Sequence, residues 1–500
     1  MIVDLNSVQS DPFSGKNYDV CICGGGFVGI TLALNLPRHL EVLLLEGGGF
    51  ESSAESQSIL EGVSKGQTDI DVVSSRYRYF GGTSSGWAGW CRPLDEYDFE
   101  PKSYVRYSGW PIRTKDLDPY LDKAAAMVDL PDGSWSWAKS YFEEQIHEAA
   151  DFKGGTFKFS PPTRFGEKYR QEVKSRSYIN CYLNANVTEL FLTEDLSRLD
   201  HVKVRDYSGR VFEVAAPVFV LATGGVENPR IMLNSNKQIP AGVGNQNGLV
   251  GKFFTEHPHA KLADILLEDR AKAHVGEYSS KDSFKDRLKS VLCDSERALR
   301  SINFVRRRGV DCLIPRRHFY SPTKAFMERE QTLNFSLRLR LRSPGHGLPT
   351  DGVLVIESEA APNPQNTVTL GSEVDMFGMR RIEVNYRLFE IDLHTMRRAA
   401  IRFGEAFAEL GLGRVRIVDW LDADSTENPA NGVCHHMCTT RMAKSPANGV
   451  VDVNQKVFGT DNLYVGGSSV WSTTGYANPT LAIIQMTLRL ADHIALKLKS

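Results

Sequence analysis

Residues 18–46 read YDVCICGGGFVGITLALNLPRHLEVLLLE, and the parsing of that stretch decides the fold. Tyr18 to Cys23 is a short apolar run rich in β-branched residues that ends in glycine, as a buried parallel strand does on entering a turn. Val28 to Leu36 fits a helix, and Glu41 to Leu45 fits a second parallel strand ending at Glu46 and three glycines. Together they make one βαβ unit. Gly24, Gly26 and Gly29 form G-x-G-x-x-G between strand and helix, with Glu46 lying 20 residues beyond Gly26. Glycines there let the backbone approach a pyrophosphate at the helix N-terminus, and the carboxylate is placed to accept hydrogen bonds from an adenosine ribose. The motif by itself does not separate NAD from FAD, because both present the same ADP half.

Two further strand-to-glycine junctions lie far along the chain. Val218 to Leu221 runs into Ala222-Thr223-Gly224-Gly225, with a helix expected from Asn228. Asn462 to Val465 is followed by a loop and a helix from Pro479 to Leu498. Three such junctions predict one nucleotide-binding domain assembled from discontinuous pieces. Between them the period changes. Thr332 to Arg342 (TLNFSLRLRLR) alternates apolar and polar residues, as an antiparallel strand with one covered face does. Gly352–Glu357, Asn366–Leu370 and Arg381–Arg387 read as further strands of an inserted antiparallel sheet between about Ile265 and Ala430, closed by an amphipathic helix over Asp392–Leu410.

With 500 residues, 41% hydrophobic, the chain can bury a large core and is too long for one ordinary domain. A net charge of -2 supplies no field of one sign, so neither nucleic acid nor an anionic membrane is an expected partner. No apolar run approaches the ~20 residues that span a bilayer, and the start lacks the basic-then-apolar order of a secretion signal. A cytoplasmic location is the expectation. The eight cysteines, Cys21, Cys23, Cys91, Cys181, Cys293, Cys312, Cys434 and Cys438, show no paired zinc-ribbon spacing and are read as reduced thiols.

The C-terminal stretch distinguishes the cofactors. Cys434 to Met442 reads CHHMCTTRM, and Gly449 to Ile494 reads GVVDVNQKVFGTDNLYVGGSSVWSTTGYANPTLAIIQMTLRLADHI. This resembles the C-terminal signature of the glucose-methanol-choline (GMC) oxidoreductase family: a His-containing segment, a GVVD element, an NLYV strand and an NPT helix start. RYFGGTSSGWAG (Arg78–Gly89), LATGGVENPR (Leu221–Arg230) and VGKFFTEHP (Val250–Pro258) resemble the same family in the same order. SGWP at Ser108–Pro111 and the His/Asn arrangement look closest to its bacterial pyranose-oxidase-like and sugar dehydrogenase branches.

The resemblance implies an α/β fold: an FAD-binding Rossmann-like domain of discontinuous segments plus a substrate-binding domain with an antiparallel sheet, similar to p-hydroxybenzoate hydroxylase. The FAD domain is expected over residues 1–264, with excursions to the substrate side near 95–175. The substrate domain is expected over 265–430, and residues 431–500 return to the FAD domain. Carried over residue by residue, the resemblance puts the catalytic base at His435 and its partner at Asn478. The chemistry wants such a pair, since taking hydride from a carbinol carbon requires the hydroxyl proton to leave, and a near-neutral imidazole is a suitable acceptor. Asn478 would hold the hydroxyl oxygen so that its carbon faces flavin nitrogen-5.

For the cofactor, the resemblance implies contacts from Gly24, Gly26, Gly29, Glu46, Gly82, Thr83, Ser84, Val187, Ala222, Thr223, Gly224, Gly467, Pro479 and Thr480. Val187 would meet adenine through its backbone, and Pro479 starts a helix whose positive end would face the reduced flavin. Some pyranose oxidases tether FAD through a histidine in the Gly81–Ser85 loop region. Gly86 occupies that place here, so non-covalent FAD is expected. Relatives commonly carry glycine at Cys438 and proline at Ser472.

His436 cannot share the direction of His435 in an extended segment, and packing on the far side competes with a pocket role. C-H-H-M-C matches no familiar ligand spacing, so no metal is expected. His257 and His259 are read as structural. Arg338, Arg340 and Arg342 fall on one strand face, which either lines the pocket or is solvated. The reading is therefore FAD-dependent oxidation of a CH–OH group, a secondary hydroxyl of a sugar or glycoside, with oxygen or another electron acceptor and self-association left open. The alternatives are an NAD-dependent dehydrogenase on the same N-terminal fold, or a flavoprotein of this fold with a lyase or binding role.

Overall fold

The computed structural model describes residues 1–66, 70–130, 151–269, 271, 318–342, 350–421, 430–432 and 434–499. At its centre lies a parallel sheet of six strands in the order Ile2–Asp4, Ile179–Leu183, Val42–Leu45, Val20–Cys23, Val218–Leu221, Leu463–Val465. The three strands that run into glycine turns are neighbours, so Gly24, Gly224 and Gly467 follow adjacent strand ends. Both faces are covered, which is why these strands are continuously apolar rather than alternating. On one face Ile22, Leu44 and Val220 pack with Ile30 of the Phe27–Asn35 helix and with Ile484 and Leu488 of the Thr480–Lys497 helix. On the other, Cys21, Leu43 and Phe219 pack with Leu190 and Val202 of a three-stranded antiparallel sheet and with Ile231 of the Gly224–Asn234 helix.

That last helix starts four residues before the expected Asn228, which leaves Pro229 inside it. Proline there frees the carbonyl four residues back, and the structure supplies a donor: Thr439 Oγ1 bonds the Gly225 carbonyl at 2.6 Å.

The second large sheet has seven strands. Along its main path Gly413–Ile417, Pro258–Leu267, Asp351–Ser358, Phe335–Leu341, His318–Pro322 and Phe152–Thr156 follow one another antiparallel, and Asn431–Gly432 adds to Pro258–Leu267. Leu262, Leu337, Leu339 and Ile356 pack against Met396, Ala399 and Phe403 of the Glu390–Glu409 helix. The residues that alternate with them, His259, Arg338 and Glu357, share the opposite face.

The expected single inserted sheet is corrected on two points. Thr367–Val374 and Arg380–Tyr386 leave it and form a separate three-stranded sheet with Gly62–Gly66, to which the second strand pairs in parallel. Phe152–Thr156 joins its edge although FKGGT carries no strand pattern, because backbone pairing with His318–Pro322 supplies what side chains do not. Cys21, Cys23, Cys91, Cys181 and Cys438 are buried thiols, Cys434 is exposed, and Cys293 and Cys312 lie outside the described residues. Among the described residues no helix is long and apolar enough to cross a membrane.

Candidate active site

The first glycine turn is built for close approach. Gly24 takes φ +116°, and a side-chain carbon there would lie 2.5 Å from the Ala222 carbonyl oxygen. At Gly29 it would lie 1.8 Å from the Gly24 oxygen. At Gly26, by contrast, it would meet no atom within 4 Å, so this position opens on free space at the start of the Phe27–Asn35 helix. Glu46 lies beside it, buried, with its carboxylate accepting from Gly25 N at 2.8 Å and Gly48 N at 2.9 Å. Those two bonds leave lone pairs for a ribose.

The Gly81–Ser85 loop packs over the turn, with Gly81 N donating to the Gly25 carbonyl at 2.8 Å. Gly82 comes within contact distance of Gly26, whereas Ser84 points inward, its Oγ accepting from Phe165 N at 3.0 Å. A carbon added at Gly86 would sit 2.2 Å from the Tyr77 ring, so a side chain there would require that ring to move. Thr223 is locked by Asn228 Oδ1, which accepts from its amide at 2.9 Å and its hydroxyl at 2.7 Å. Asn228 Nδ2 in turn bonds the Gly466 carbonyl at 3.1 Å, tying the second junction to the third next to Gly467. Gly224, at φ +92°, has nothing within 4 Å. Val187 is half-buried in the Asn186–Leu192 strand, and Ala185, two residues earlier, bonds the Glu46 carbonyl at 2.8 Å.

His435 and Asn478 are brought together from 43 residues apart: Asn478 Nδ2 stands 3.5 Å from His435 Nε2. Asn478 directly precedes Pro479, the cap of the terminal helix, with Thr480 its first residue, so the positive end of that helix lies at the pair. Asn478 Oδ1 is buried and accepts no hydrogen bond from the described residues. The segment carrying His435 runs beside the start of the large sheet, bridged at Thr255–Met437, and Glu256 Oε2 accepts the His435 amide at 3.1 Å. Cys434 and Cys438 flank it at φ +65° and +70°. The second value lies in the left-handed region that favours glycine. Ser472 Oγ donates to the Met442 carbonyl at 2.8 Å.

The two adjacent histidines diverge. His436 Nε2 reaches Glu256 Oε1 at 3.1 Å and Ser75 Oγ at 3.5 Å, on the far side from Asn478. His257, read from the sequence as structural, faces His435: its Nδ1 lies 3.0 Å from His435 Nδ1, with the rings edge to face. Glu357 Oε1 stands 3.5 Å from His257 Nδ1 and 3.9 Å from His435 Nδ1, and Glu357 Oε2 accepts from Arg338 at 3.0 Å. The arginine row therefore divides. Arg338 is buried in this pair, Arg340 reaches His259 Nε2 at 3.5 Å, and Arg342 is exposed and pairs with Asp351 at 3.0 Å. Glu357, which joins His257 and His435, was not singled out from the sequence; a glutamate interrupting the apolar run VLVIE was the available local signal.

Burial, with His257 adding to it, pushes His435 down to about 4. Burial and the Arg338 charge hold His259 at about 4 as well, so both rings are neutral near pH 7. Burial acts to raise Glu357, but the facing His257 ring and the Arg338 charge override it and leave the carboxylate well below its ordinary range. A surface cleft of about 690 Å³ lined by Trp110 and Arg441 lies apart from this cluster, touching neither His435 nor Asn478.

The fold is a mixed α/β architecture in which a six-stranded parallel sheet carries a Rossmann-like glycine turn beside a seven-stranded sheet. Residues 362–487 match the family described as GMC oxidoreductase, so the chain carries the C-terminal domain of that family. It is 25% identical over 295 residues to 2-methyl-1,2-propanediol dehydrogenase of Mycolicibacterium austroafricanum, a match spanning 58% of this chain and about half, 49%, of that protein. It is 24% identical to paromamine 6'-oxidase of Streptomyces fradiae, over 96% of this chain and 91% of that one. A shorter match, 31% identical over 25% of this chain and 23% of the other, is to C-glycoside 3-oxidase of Microbacterium trichothecenolyticum. Among solved structures, an FAD-dependent oxidoreductase from Chaetomium thermophilum has the same fold, with a TM-score of 0.62 at 17% identity over 97% of this chain and all of that one.

Proposed function

We propose that this protein binds FAD without a covalent bond and oxidises a CH–OH group, a secondary hydroxyl of a sugar or glycoside, with His435 as base. The observation that carries the reading is the meeting of His435 Nε2 and Asn478 Nδ2, 3.5 Å apart, at the start of the terminal helix. The residues fit the cofactor: free space at Gly26 and Gly224, the Glu46 carboxylate beside it, and the partnerless Asn478 Oδ1. The Gly24, Gly26 and Gly29 turn would hold the pyrophosphate with Gly82, Thr83, Ala222 and Gly467 around it, and Pro479 and Thr480 at the ring end. Bound there, the flavin supplies the acceptor for the carbon-bound hydrogen and its electron pair.

The chain's own residues do the rest. Asn478 orients the hydroxyl, and neutral His435 receives its proton at Nε2. Relatives named C-glycoside 3-oxidase and paromamine 6'-oxidase support a carbohydrate-like substrate. Relatives named both oxidase and dehydrogenase leave oxygen and another acceptor as the two routes for reoxidation.

The test is an absorbance spectrum of the purified protein followed by anaerobic mixing with a panel of sugars and glycosides. A flavin spectrum bleached by a member of the panel is expected, and His435→Ala should slow bleaching about 10²- to 10⁴-fold with FAD still bound. A colourless protein that turns over only with nicotinamide, or a variant that bleaches at the normal rate, refutes the assignment.

A further inference from the structure

We propose that His257, backed by Glu357, receives the proton that His435 takes from the substrate, so that the two imidazoles act as one relay. The inference rests on the function proposed above and adds two residues to it.

The geometry requires proton sharing. With the two Nδ1 atoms 3.0 Å apart, two N–H groups would collide and two bare lone pairs would repel, so only one of the atoms carries hydrogen. The tautomers of His435 and His257 are therefore opposed. When the proton sits on His435 Nδ1, its Nε2 is bare toward Asn478 and serves as a base. When it sits on His257 Nδ1, His435 Nε2 carries hydrogen and is blocked.

In the reaction the substrate O–H bond breaks and an N–H bond forms at His435 Nε2. The His435 Nδ1–H bond then breaks as one forms at His257 Nδ1. The carbon-bound hydrogen leaves with both electrons to the flavin, the oxidant, and the charge left on the protein is one imidazolium, on His257. Glu357 stands nearer to His257 than to His435, 3.5 Å against 3.9 Å, and stabilises that charge. Arg338 keeps Glu357 ionised through the 3.0 Å bond to its other oxygen.

The neighbours are consistent with this direction. His435, pushed down to about 4 by burial, holds a proton poorly alone. The remaining groups packed against the pair have other duties: Glu256 binds the His435 amide and His436, and His259 faces Arg340. The same three atoms, His257 Nδ1, Glu357 Oε1 and His435 Nδ1, lie close enough together for a zinc ion. Bound zinc would leave hydrogen on His435 Nε2 and abolish the base, so it is the rival occupant.

The test needs no substrate. The flavin holoenzyme is photoreduced anaerobically near pH 7 in dilute buffer with a pH indicator, and protons taken up per two electrons are counted. Wild type should take up two, one with the cofactor and one on the relay, and His257→Gln only one. If His257→Gln fails to hold flavin, Glu357→Gln decides, and should lose the second proton at least about one pH unit below wild type. One proton in wild type, two in His257→Gln, an unshifted Glu357→Gln, or stoichiometric zinc that survives a chelator would overturn the relay while leaving the flavin reading intact. A colourless protein would overturn both.

Discussion

Gly26 and Gly29 belong to one motif, yet the structure predicts opposite consequences for replacing them with alanine. At Gly29 the new carbon would lie 1.8 Å from the Gly24 carbonyl oxygen and 3.1 Å from Leu44 Cδ1. The first contact is with backbone inside the turn and cannot be relieved by rotating a side chain, so the Phe27–Asn35 helix must shift off the sheet. Overpacking typically costs 1–3 kcal/mol, and a contact this short belongs at the top of that range, about 3 kcal/mol. At Gly26 the new carbon meets nothing within 4 Å, and φ -89°, ψ -157° is backbone that alanine adopts without strain. Gly26→Ala should therefore leave the apoprotein as stable as wild type, or up to about 1 kcal/mol more stable through the restricted unfolded chain. Its methyl group would stand where the pyrophosphate must come, so FAD affinity should fall at least about tenfold, or 1.4 kcal/mol. Urea unfolding of the apoproteins followed by tryptophan fluorescence, together with FAD titration by flavin fluorescence, separates the two effects. An apo Gly29→Ala as stable as wild type, or a Gly26→Ala that binds FAD as tightly as wild type, refutes this account of the turn.

Three further outcomes are expected. Acid precipitation of the holoenzyme should release all flavin to the supernatant, since Gly86 carries no side chain that could form a tether; colour retained in the pellet contradicts this. Asp98 is raised to about 7 by burial and by the nearby charges of Asp95 and Glu359. A raised carboxyl favours the folded state most below its unfolded value near 4, and that advantage is lost as pH climbs to about 7. His435 and His259, held at about 4, act in the opposite sense over the same window, so the test is the difference: the unfolding free energy of Asp98→Asn should rise with pH relative to wild type between about 4 and 7, and equal slopes refute the placement. Cys438, at φ +70°, should tolerate glycine at least as well as alanine, the reverse of the usual order, because a left-handed backbone costs a residue with a side chain of order 1 kcal/mol or more. Thermal unfolding of the two variants decides it.

The parallel sheet was legible because its signal is local. VCIC and VLLL are apolar throughout, are bounded by glycine, and bury every residue on one face or the other. The His435 and Asn478 pairing was legible only through motif order, since 43 residues separate them and neither neighbourhood refers to the other. Strand partners were the weakest part. Nothing in GVSKG announces that it will lie parallel to Arg380–Tyr386, because such a pairing depends on backbone groups that every residue possesses. The arginine row shows the same limit from another side. Period two places Arg338 and Arg340 correctly on one face, but whether that face meets water depends on what the rest of the chain lays across it.

The buried charges under His435 are hard to explain as stabilisers. Arg338 and Glu357 are 7% and 4% exposed at the side chain, and an ion pair so deep often contributes less than well-packed apolar residues of similar volume. His257 is fully buried with its Nε2 unpartnered, a further cost. Apolar residues across Arg338, Glu357 and His257 would satisfy the sheet more simply, since the opposite face, with Leu337, Leu339 and Ile356, already does so. What apolar residues could not do is fix the tautomer of an imidazole 3.0 Å away or hold a charge transferred from it. The cost of that face is therefore an argument for the proposed relay, to which the seven-stranded sheet contributes Arg338 and Glu357.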